Sequence, residues 1–73
     1  MKLGKYKHYK GKFYQVIGIA KHSETLEDFV VYKCLHNNPL STLWVRPKKM
    51  FEEIIEVKGV KIKRFEYQSE VVK

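Results

Sequence analysis

The sequence predicts one small all-β barrel, and three observations support this prediction. The chain has only 73 residues, a length that fits a single domain with a thin core. Short stretches rich in aromatic and β-branched residues recur along it, as expected of strands. Glycine, proline and asparagine separate these stretches at short intervals, a spacing that is typical of barrels and sandwiches built from short strands.

The turn residues divide the chain into six expected strands. Gly11 and Gly59 suit tight two-residue turns because glycine adopts the positive φ that such turns require. Pro47 ends the fourth strand, since it cannot donate a hydrogen bond to a ladder, and it begins one helical turn that reaches Phe51. The tail from Gln68 is expected to fray. The strands are Lys5 to Tyr9, Lys12 to Lys21, Phe29 to His36, Leu43 to Arg46, Ile54 to Val57 and Val60 to Tyr67.

Polar positions indicate which side of each strand faces the core. Gln15 and Lys33 should face solvent, so their neighbours along the strand should face inward. In the fourth strand Val45 is the expected core residue, with Leu43 on the same side. The predicted core is Tyr14, Val16, Val30, Tyr32, Val45 and Phe51. Gly18 should bend the long second strand so that it serves two sheets.

These elements together predict an SH3-like barrel of five to six short antiparallel strands with one helical turn near Pro47 to Phe51. An OB-like barrel is the alternative, but it usually needs a longer chain and a true helix. One domain is expected over residues 1–73, with its core between about residues 4 and 67.

The chain is basic, with a formal net charge of +7. Six lysines precede the first acidic residue, Glu24, and a second basic run extends from Lys58 to Arg64. Such asymmetry favours anionic partners, nucleic acid first and phospholipid second, although a solvated surface that keeps a small protein soluble is equally consistent with it. No basic amphipathic helix is predicted, so a membrane is not an expected partner.

Cys34 is the only cysteine, so no internal disulfide can form, and the thiol is expected to be a small buried side chain in a reducing compartment. The chain begins with polar residues and contains no long apolar run, which indicates a cytoplasmic protein. Its three histidines do not combine with Cys34 in the short spacings of a zinc site, and no nucleotide or cofactor motif occurs. We therefore expect neither a metal nor a cofactor.

The string His22-Ser23-Glu24-Thr25 is the most suggestive place for catalysis. A nucleophile needs a base within hydrogen-bond reach and a third group to orient that base. Adjacent side chains in a strand diverge, and no glycine-rich elbow or oxyanion loop surrounds this string. A turn capped by Ser23 or Thr25 is the better interpretation, and we predict a protein that is not an enzyme.

Trp44 and Arg46 are the leading candidate binding residues. If Leu43 and Val45 point inward, Trp44 and Arg46 share the outer face, where an indole beside a guanidinium would form a charged stacking platform. The alternative is that Trp44 only covers a thin core. The rest of the predicted ligand-binding set is Tyr9, His22, Lys5, Lys7, Lys61 and Lys63.

The four lysines of this set are expected to form one ribbon, because the first and last strands of a small barrel commonly lie side by side. Lysines neutralise phosphates while rings stack on bases, and lysines on an edge strand equally protect it from aggregation. The leading function is therefore binding of an anionic ligand, such as RNA or single-stranded nucleic acid. The alternatives are a module that takes a peptide or a subunit on an aromatic face and, with weaker support, a small-molecule or nucleotide sensor.

Several segments together are distinctive of one family. They are Gly4 to Gly11, Tyr14 to Thr25, Val30 to Tyr32, Leu43 to Pro47, and Met50-Phe51. This combination closely resembles DUF1653, a bacterial domain-of-unknown-function family, over the chain from about Gly4 to Phe65. The resemblance implies a small SH3-like barrel of bacterial origin. It implies no activity, so no functional residues are carried over from it.

Overall fold

A computed structural model describes residues 1–70, and within this range the chain forms seven strands and one short helix. The elements are β1 (Gly4–His8), β2 (Phe13–Lys21), β3 (Asp28–Cys34), β4 (Leu43–Pro47), α1 (Lys48–Phe51), β5 (Ile54–Val57), β6 (Val60–Lys63) and β7 (Phe65–Ser69). Five strands form one antiparallel sheet in the order β4-β3-β2-β1-β7, and β5 and β6 form a separate hairpin. The predicted all-β class and the single helical turn are confirmed.

The expected sixth strand is in fact two strands with a break at Arg64. There the Arg64 N–H donates to the Glu53 carbonyl, and the Arg64 carbonyl accepts the Tyr9 N–H, both at 3.0 Å. These bonds connect the β5–β6 hairpin to the β1–β2 turn and direct the chain into the main sheet. Because β7 then extends to Ser69 beside β1, the prediction that the tail frays from Gln68 is wrong for residues 68 and 69. Residues 71–73 lie outside the described part.

The core on the inner face of the five-stranded sheet consists mainly of aromatic rings. Its buried members are Tyr6, Val16, Val30, Tyr32, Phe51 and Phe65, and Tyr14, Trp44 and Tyr67 pack against them. Phe51 of α1 stacks on Phe65 of β7, with ring centroids 4.0 Å apart and planes 6° from parallel. Tyr6 and Tyr32 meet the Phe51 ring edge-on, at 5.4 and 5.5 Å. The single helical turn therefore contributes one fully buried ring to the centre of the core.

The predicted facing of side chains is correct for β2 and β3 but wrong for β4. Buried as predicted are Val16, Val30, Tyr32 and Phe51, with Tyr14 half-buried against them. Val45, however, is 61% exposed and Leu43 is 57% exposed. The register gives the reason, since Trp44 is paired with buried Tyr32 and directly paired residues of antiparallel strands face the same side of a sheet. Trp44 and Arg46 therefore face inward.

β2 is irregular at the glycine that was expected to bend it. Its register with β3 shifts between Val16 and Gly18, which is a β-bulge that adds local bend and twist. β2 nevertheless stays within one sheet, so the prediction that it serves two sheets is wrong. A Cβ at Gly18 would meet no atom within 4 Å. By contrast, Gly4 has a φ of +130°, and a Cβ there would overlap the Ser69 carbonyl oxygen of β7.

Candidate functional site

The inward-facing Trp44 and Arg46 of β4 border a cavity of about 200 Å³. Its remaining walls come from β2, β3 and the β3–β4 loop, through Tyr14, Tyr32, Cys34 and Asn38. The register brings these side chains together, because Tyr14 is paired with Cys34 and Tyr32 with Trp44 on the same face of the sheet. We term this cavity, with its six lining residues, the inner pocket.

Local hydrogen bonds hold the rim of the inner pocket. The Trp44 indole N–H donates to the Ser41 carbonyl at 3.2 Å, which uses the only polar group of the ring and leaves its faces for packing. Asn38 accepts the Leu40 N–H through Oδ1 at 3.0 Å and directs its amide nitrogen toward Cys34 Sγ, 3.8 Å away. The Cys34 thiol is buried, as predicted. The rim is therefore ordered without using the pocket's charged group.

Arg46 supplies the formal charge of the inner pocket. Its guanidinium carbon lies 5.4 Å from the centroid of the Phe65 ring, a cation–π contact that positions the side chain. None of the six lining residues is acidic, and within residues 1–70 Arg46 forms no salt bridge. The hydroxyls of Tyr14 and Tyr32 likewise have no hydrogen-bond partner in that range. Among the described residues, the pocket thus combines a cation that has no counter-ion with donors that have no acceptor.

The pKa values around the inner pocket reflect its burial and its positive charge. Burial raises the pKa of Tyr14, and interactions with Cys34 and Tyr32 raise it further. The ring of His8 lies 6.3 Å from that of Tyr14. Burial lowers the pKa of His8, and nearby positive charges, Arg46 first, lower it further. Because both shifts favour the neutral forms, Arg46 remains the charged group of this region.

The opposite, outer face of the same sheet carries lysines around a phenylalanine. Lys5 and Lys7 of β1 have their ammonium nitrogens 4.4 and 5.7 Å from the centroid of the Phe13 ring of β2. Lys33 of β3 extends the group, because Lys5, Gln15 and Lys33 are aligned across three strands. None of the three lysines takes part in a salt bridge within the described chain. We term Lys5, Lys7, Phe13 and Lys33 the outer lysine face.

Lys61 and Lys63 do not lie on this face, so the single ribbon of four lysines is a wrong prediction. The last strand, β7, does pair with β1, but both lysines belong to β6, which pairs with β5. The residue opposite Lys7 on β7 is the acidic Glu66. Lys7 and Lys63 line one shallow depression together with Glu66, and this depression is the nearest approach to the predicted ribbon.

Tyr9 and His22, the other two predicted binding residues, occupy turns at opposite ends of β2. Tyr9 lies exposed in the β1–β2 turn, where the Lys10 ammonium is 5.8 Å from its ring centroid. His22 begins the β2–β3 loop, and its Nδ1 accepts the N–H groups of Glu24 and Thr25 at 3.1 and 3.2 Å. The length of β2 separates the two side chains, so the structure does not bring them into one site.

The same bonds assign the capping roles in the string His22-Ser23-Glu24-Thr25. The imidazole of His22 caps the turn, and the Thr25 hydroxyl accepts the Glu27 N–H at 3.2 Å. Ser23 is exposed, and its side chain makes no hydrogen bond within residues 1–70. The prediction that Ser23 or Thr25 caps the turn is therefore confirmed, with Thr25 as the capping residue. Backbone donors occupy Nδ1 of His22, and within residues 1–70 no hydrogen bond joins the side chains of His22 and Ser23.

Sequence reasoning missed Phe13 and Lys33 on the outer face and Asn38 in the inner pocket. Strand alternation already turns Lys33 outward and puts Phe13 on the same side of β2 as Gln15, but only the register between strands brings them onto one face with Lys5. No comparable signal exists for Asn38, because the path of the β3–β4 loop decides where its amide lies.

Other features of the described residues give no comparable site. No group of three histidine, cysteine or acidic side chains among residues 1–70 could hold a metal ion. In the same range, no helix is long and apolar enough to cross a membrane. A larger hollow of about 530 Å³ is bordered by Leu3, Ile17 and Glu70 among others. Its lining also includes the donors Lys2 and Gln15, but it contains the Glu70 carboxylate, so unlike the inner pocket it presents an anion with a like charge.

The fold and these two surfaces define a small, basic, antiparallel β domain with a cationic aromatic pocket on one face of its sheet. The sequence model of DUF1653, described as a protein of unknown function, matches residues 4–67. The chain therefore belongs to the DUF1653 family, and the resemblance seen in its sequence is confirmed.

A solved structure and the curated proteins complete the comparison. The crystal structure of a DUF1653 protein from Bordetella bronchiseptica is similar to this chain, with a TM-score of 0.92 and 30% sequence identity. The alignment covers 100% of this chain and 94% of the Bordetella chain. No curated protein matches the sequence. These comparisons define the fold and the family, and the family has no described activity.

Proposed function

We propose that this protein is a non-enzymatic binding module for single-stranded nucleic acid and that the outer lysine face is its contact surface. The observation that supports this proposal is a group of three lysines on one face of the sheet that form no salt bridge within residues 1–70. Two of them, Lys5 and Lys7, lie close to the partly exposed ring of Phe13. Lysine neutralises phosphate, and an aromatic ring stacks on any base, so this combination binds a strand without reading its sequence.

The distribution of charge adds support. The chain carries a net charge of +7, yet the salt bridges within the described residues use only Lys21, Lys48 and Arg64 among its cations. Lys5 and Lys7 both lie close to one ring, and their mutual repulsion would be relieved by a phosphate between them. An attraction of this kind between exposed charges is screened by salt and weakens as the ionic strength rises.

The geometry of the sheet suits an extended ligand. Lys5 and Lys33 are two strands apart, which corresponds to roughly 10 Å, and Lys5 and Lys7 are two residues apart, which corresponds to roughly 7 Å. A single strand that crosses β1, β2 and β3 would therefore meet positive charge on both sides of Gln15, with the Phe13 ring next to Lys5 and Lys7. The pattern contains no set of side chains aimed at base edges, so we expect little sequence preference.

Titration of a labelled, mixed-sequence, single-stranded oligonucleotide at several salt concentrations tests this proposal. Replacing the three lysines of the outer lysine face with glutamine should weaken binding and flatten the slope of log affinity against log salt by up to about 2, since each lost contact removes about 0.7. A matched control replaces Lys49, Lys58 and Lys61, which are exposed and outside that face, and should change the slope much less. Both variants lose the same net charge.

Phe13→Leu provides a second readout, because it keeps an apolar side chain but removes the ring. Loss of base stacking should lower the affinity by about 1–3 kcal/mol, and thermal melting checks that the fold is intact. No measurable binding of the unmodified protein at low salt would overturn the proposal. Equal weakening by the two lysine variants would show attraction by net charge alone and would remove the outer lysine face as the site.

The outer side of β4 supports a second candidate function, the binding of a protein partner. Leu43 and Val45 expose 57% and 61% of their surface on a strand that forms one edge of the sheet. An edge strand offers unpaired peptide groups to an added strand, and its exposed side chains offer apolar contact. Binding to a peptide or a subunit that is insensitive to salt and is lost in Val45→Glu would favour this candidate over nucleic acid.

A further inference from the structure

The inner pocket has a feature that the outer lysine face does not explain, namely a partly buried cation without a counter-charge in the part of the chain that the structure describes. Arg46 is held over the Phe65 ring and has no acidic partner among residues 1–70. Keeping a charge partly away from water costs free energy unless another charge or a hydrogen bond compensates. An anion that enters the pocket would supply both a negative charge and acceptors for hydrogen bonds.

Three further donors line the pocket with Arg46, and none has a strong acceptor among residues 1–70. Tyr14 and Tyr32 lie edge-on at 5.5 Å between ring centroids, and each hydroxyl can donate one hydrogen bond into the pocket. Within the described residues the Asn38 amide nitrogen has only the Cys34 sulfur, at 3.8 Å, as a partner, and a thiol is a weak acceptor. With no carboxylate in the lining, the pocket is matched to a ligand that accepts hydrogen bonds and carries negative charge.

The size and shape of the pocket restrict the ligand further. The cavity measures about 200 Å³, which is below the roughly 300 Å³ at which sites for drug-sized molecules begin. Trp44 has its N–H bound to Ser41, so it offers a ligand the apolar face of its ring. A flat group packs well against such a face. The ligand is therefore small and combines an anionic end with a flat apolar part.

We propose that the inner pocket binds the oxyanion group, phosphate or carboxylate, of a small aromatic or otherwise flat molecule. The Arg46 guanidinium binds two of its oxygens through parallel N–H groups, and the hydroxyls of Tyr14 and Tyr32 donate to the same group. The flat part of the molecule lies against Trp44. This site is on the opposite face of the sheet from the outer lysine face, so it is independent of the proposed nucleic-acid surface.

The protein contains one tryptophan, so the NMR signal of the Trp44 indole N–H reports on this pocket without ambiguity. We would titrate the full chain with phenyl phosphate, benzoate, inorganic phosphate and benzyl alcohol. The expected result is a saturable shift with phenyl phosphate or benzoate, a weaker effect of inorganic phosphate, and no saturable shift with neutral benzyl alcohol. Whichever of phenyl phosphate and benzoate binds more tightly identifies the preferred oxyanion. Absence of a shift with all three anions, or equal binding of benzyl alcohol, would overturn the proposal.

Variants of the lining residues separate directed binding from general attraction. Arg46→Gln should weaken the preferred anion roughly 10- to 100-fold, and Tyr14→Phe should weaken it about 2- to 10-fold. Arg46→Lys should fall between Arg46→Gln and the unmodified protein, because it keeps the charge without the planar fork. The variant that replaces Lys49, Lys58 and Lys61 with glutamine should leave anion binding unchanged.

Retention of affinity within about twofold in Arg46→Gln would overturn the proposal, since such a change is below the contribution of one hydrogen bond to a charged group. If Arg46→Gln fails to fold, Tyr14→Phe and Tyr32→Phe decide the result, because each removes a single hydroxyl. Failure of the pocket and failure of the outer lysine face remain distinguishable, because small anions are measured at Trp44 and the oligonucleotide by its own label.

Discussion

The two faces of the five-stranded sheet both place positive charge beside aromatic rings, but in different physical settings. On the inner face, Arg46 is partly buried over Phe65 and confined in a small cavity. On the outer face, Lys5 and Lys7 lie over Phe13 on an open surface. A confined guanidinium binds through directed hydrogen bonds that salt screens weakly, whereas lysines on a surface act as mobile point charges that salt screens strongly.

The difference shows that similar residue types select different ligands according to burial. The inner pocket limits a ligand by volume and by the fixed positions of its donors, so it suits one small anionic group. The outer lysine face has no walls, so it suits an extended chain of phosphates whose contacts add along the strand. Salt dependence should therefore be shallow for the inner pocket and steep for the outer lysine face.

The largest expected difference between the two faces is in stability. Phe51 is 1% exposed and stacks on Phe65, so Phe51→Ala should lower the free energy of unfolding by about 3–5 kcal/mol. On the outer face, Val45→Ala should change it by less than about 0.5 kcal/mol, because Val45 is mostly exposed. Urea denaturation followed by circular dichroism measures both. Comparable losses in the two variants would mean that Val45, rather than Trp44 and Arg46, faces the core.

A smaller effect is expected where β7 closes against β1, the pairing that places Phe65 beneath Arg46. Gly4 combines a positive φ with a backbone contact that leaves no space for a Cβ, so Gly4→Ala should cost about 1–3 kcal/mol. Gly18 has open space around it and no positive φ. Gly18→Ala should therefore be neutral or stabilising by up to about 1 kcal/mol. Thermal melting compares the two variants. A larger loss of stability in Gly18→Ala than in Gly4→Ala would contradict the close approach of β7 to β1 at Gly4.

The inner pocket itself should cost stability in the absence of a ligand. Arg46→Met replaces an uncompensated cation with an apolar side chain of similar length, and it should leave the free energy of unfolding unchanged or raise it by up to about 1 kcal/mol. The same change should abolish binding of the oxyanion. A free energy of unfolding that falls by more than about 1 kcal/mol in Arg46→Met would show that the contact of Arg46 with Phe65 outweighs the cost of burying Arg46.

The smallest expected effect is on pH dependence. The pKa of His8 in the folded chain lies below its ordinary value of 6.5, so the unfolded chain binds a proton there more readily than the folded chain. The stability due to neutral His8 is complete above pH 6.5 and is lost as the pH falls through that value toward the folded pKa. In an NMR titration, the His8 inflection should lie below 6.5 and should rise in Arg46→Met, since a neighbouring positive charge is removed. Burial is the largest cause of the lowered pKa of His8 and Arg46 the next, so an unchanged inflection in that variant would contradict the contribution of Arg46 alone.

Much of the fold could be predicted from the sequence because it depends on local pattern. The β5 strand has its predicted bounds, and the alternation around Gln15 and Lys33 correctly identifies the inner side of β2 and β3. The outward direction of Lys5 and Lys7 follows from the same alternation, since Tyr6 between them is buried. These features need only the two-residue period of a strand and one polar marker.

The sequence could not decide which side of β4 faces the core. Leu43 and Val45 are better core residues by hydropathy than Trp44 and Arg46, so alternation alone favours the wrong side. In the structure, an aromatic ring with a polar edge and a long cationic side chain lie at the border of the core, where each keeps an apolar part covered and a polar part accessible. A two-residue period always leaves two choices, and a short amphipathic strand does not distinguish between them.

The sequence by itself determined an all-β domain, the approximate strands, a basic surface rich in lysine, and membership of DUF1653. The tertiary structure alone decided that β7 rather than β6 lies beside β1, that Trp44 and Arg46 turn inward, and that Phe13 rather than Trp44 lies among the surface lysines. The physical reason is that strand alternation and turn chemistry act over a few residues. The grouping of a cation with its neighbours depends instead on register between strands that are far apart in sequence, and that register follows from packing the whole core at once.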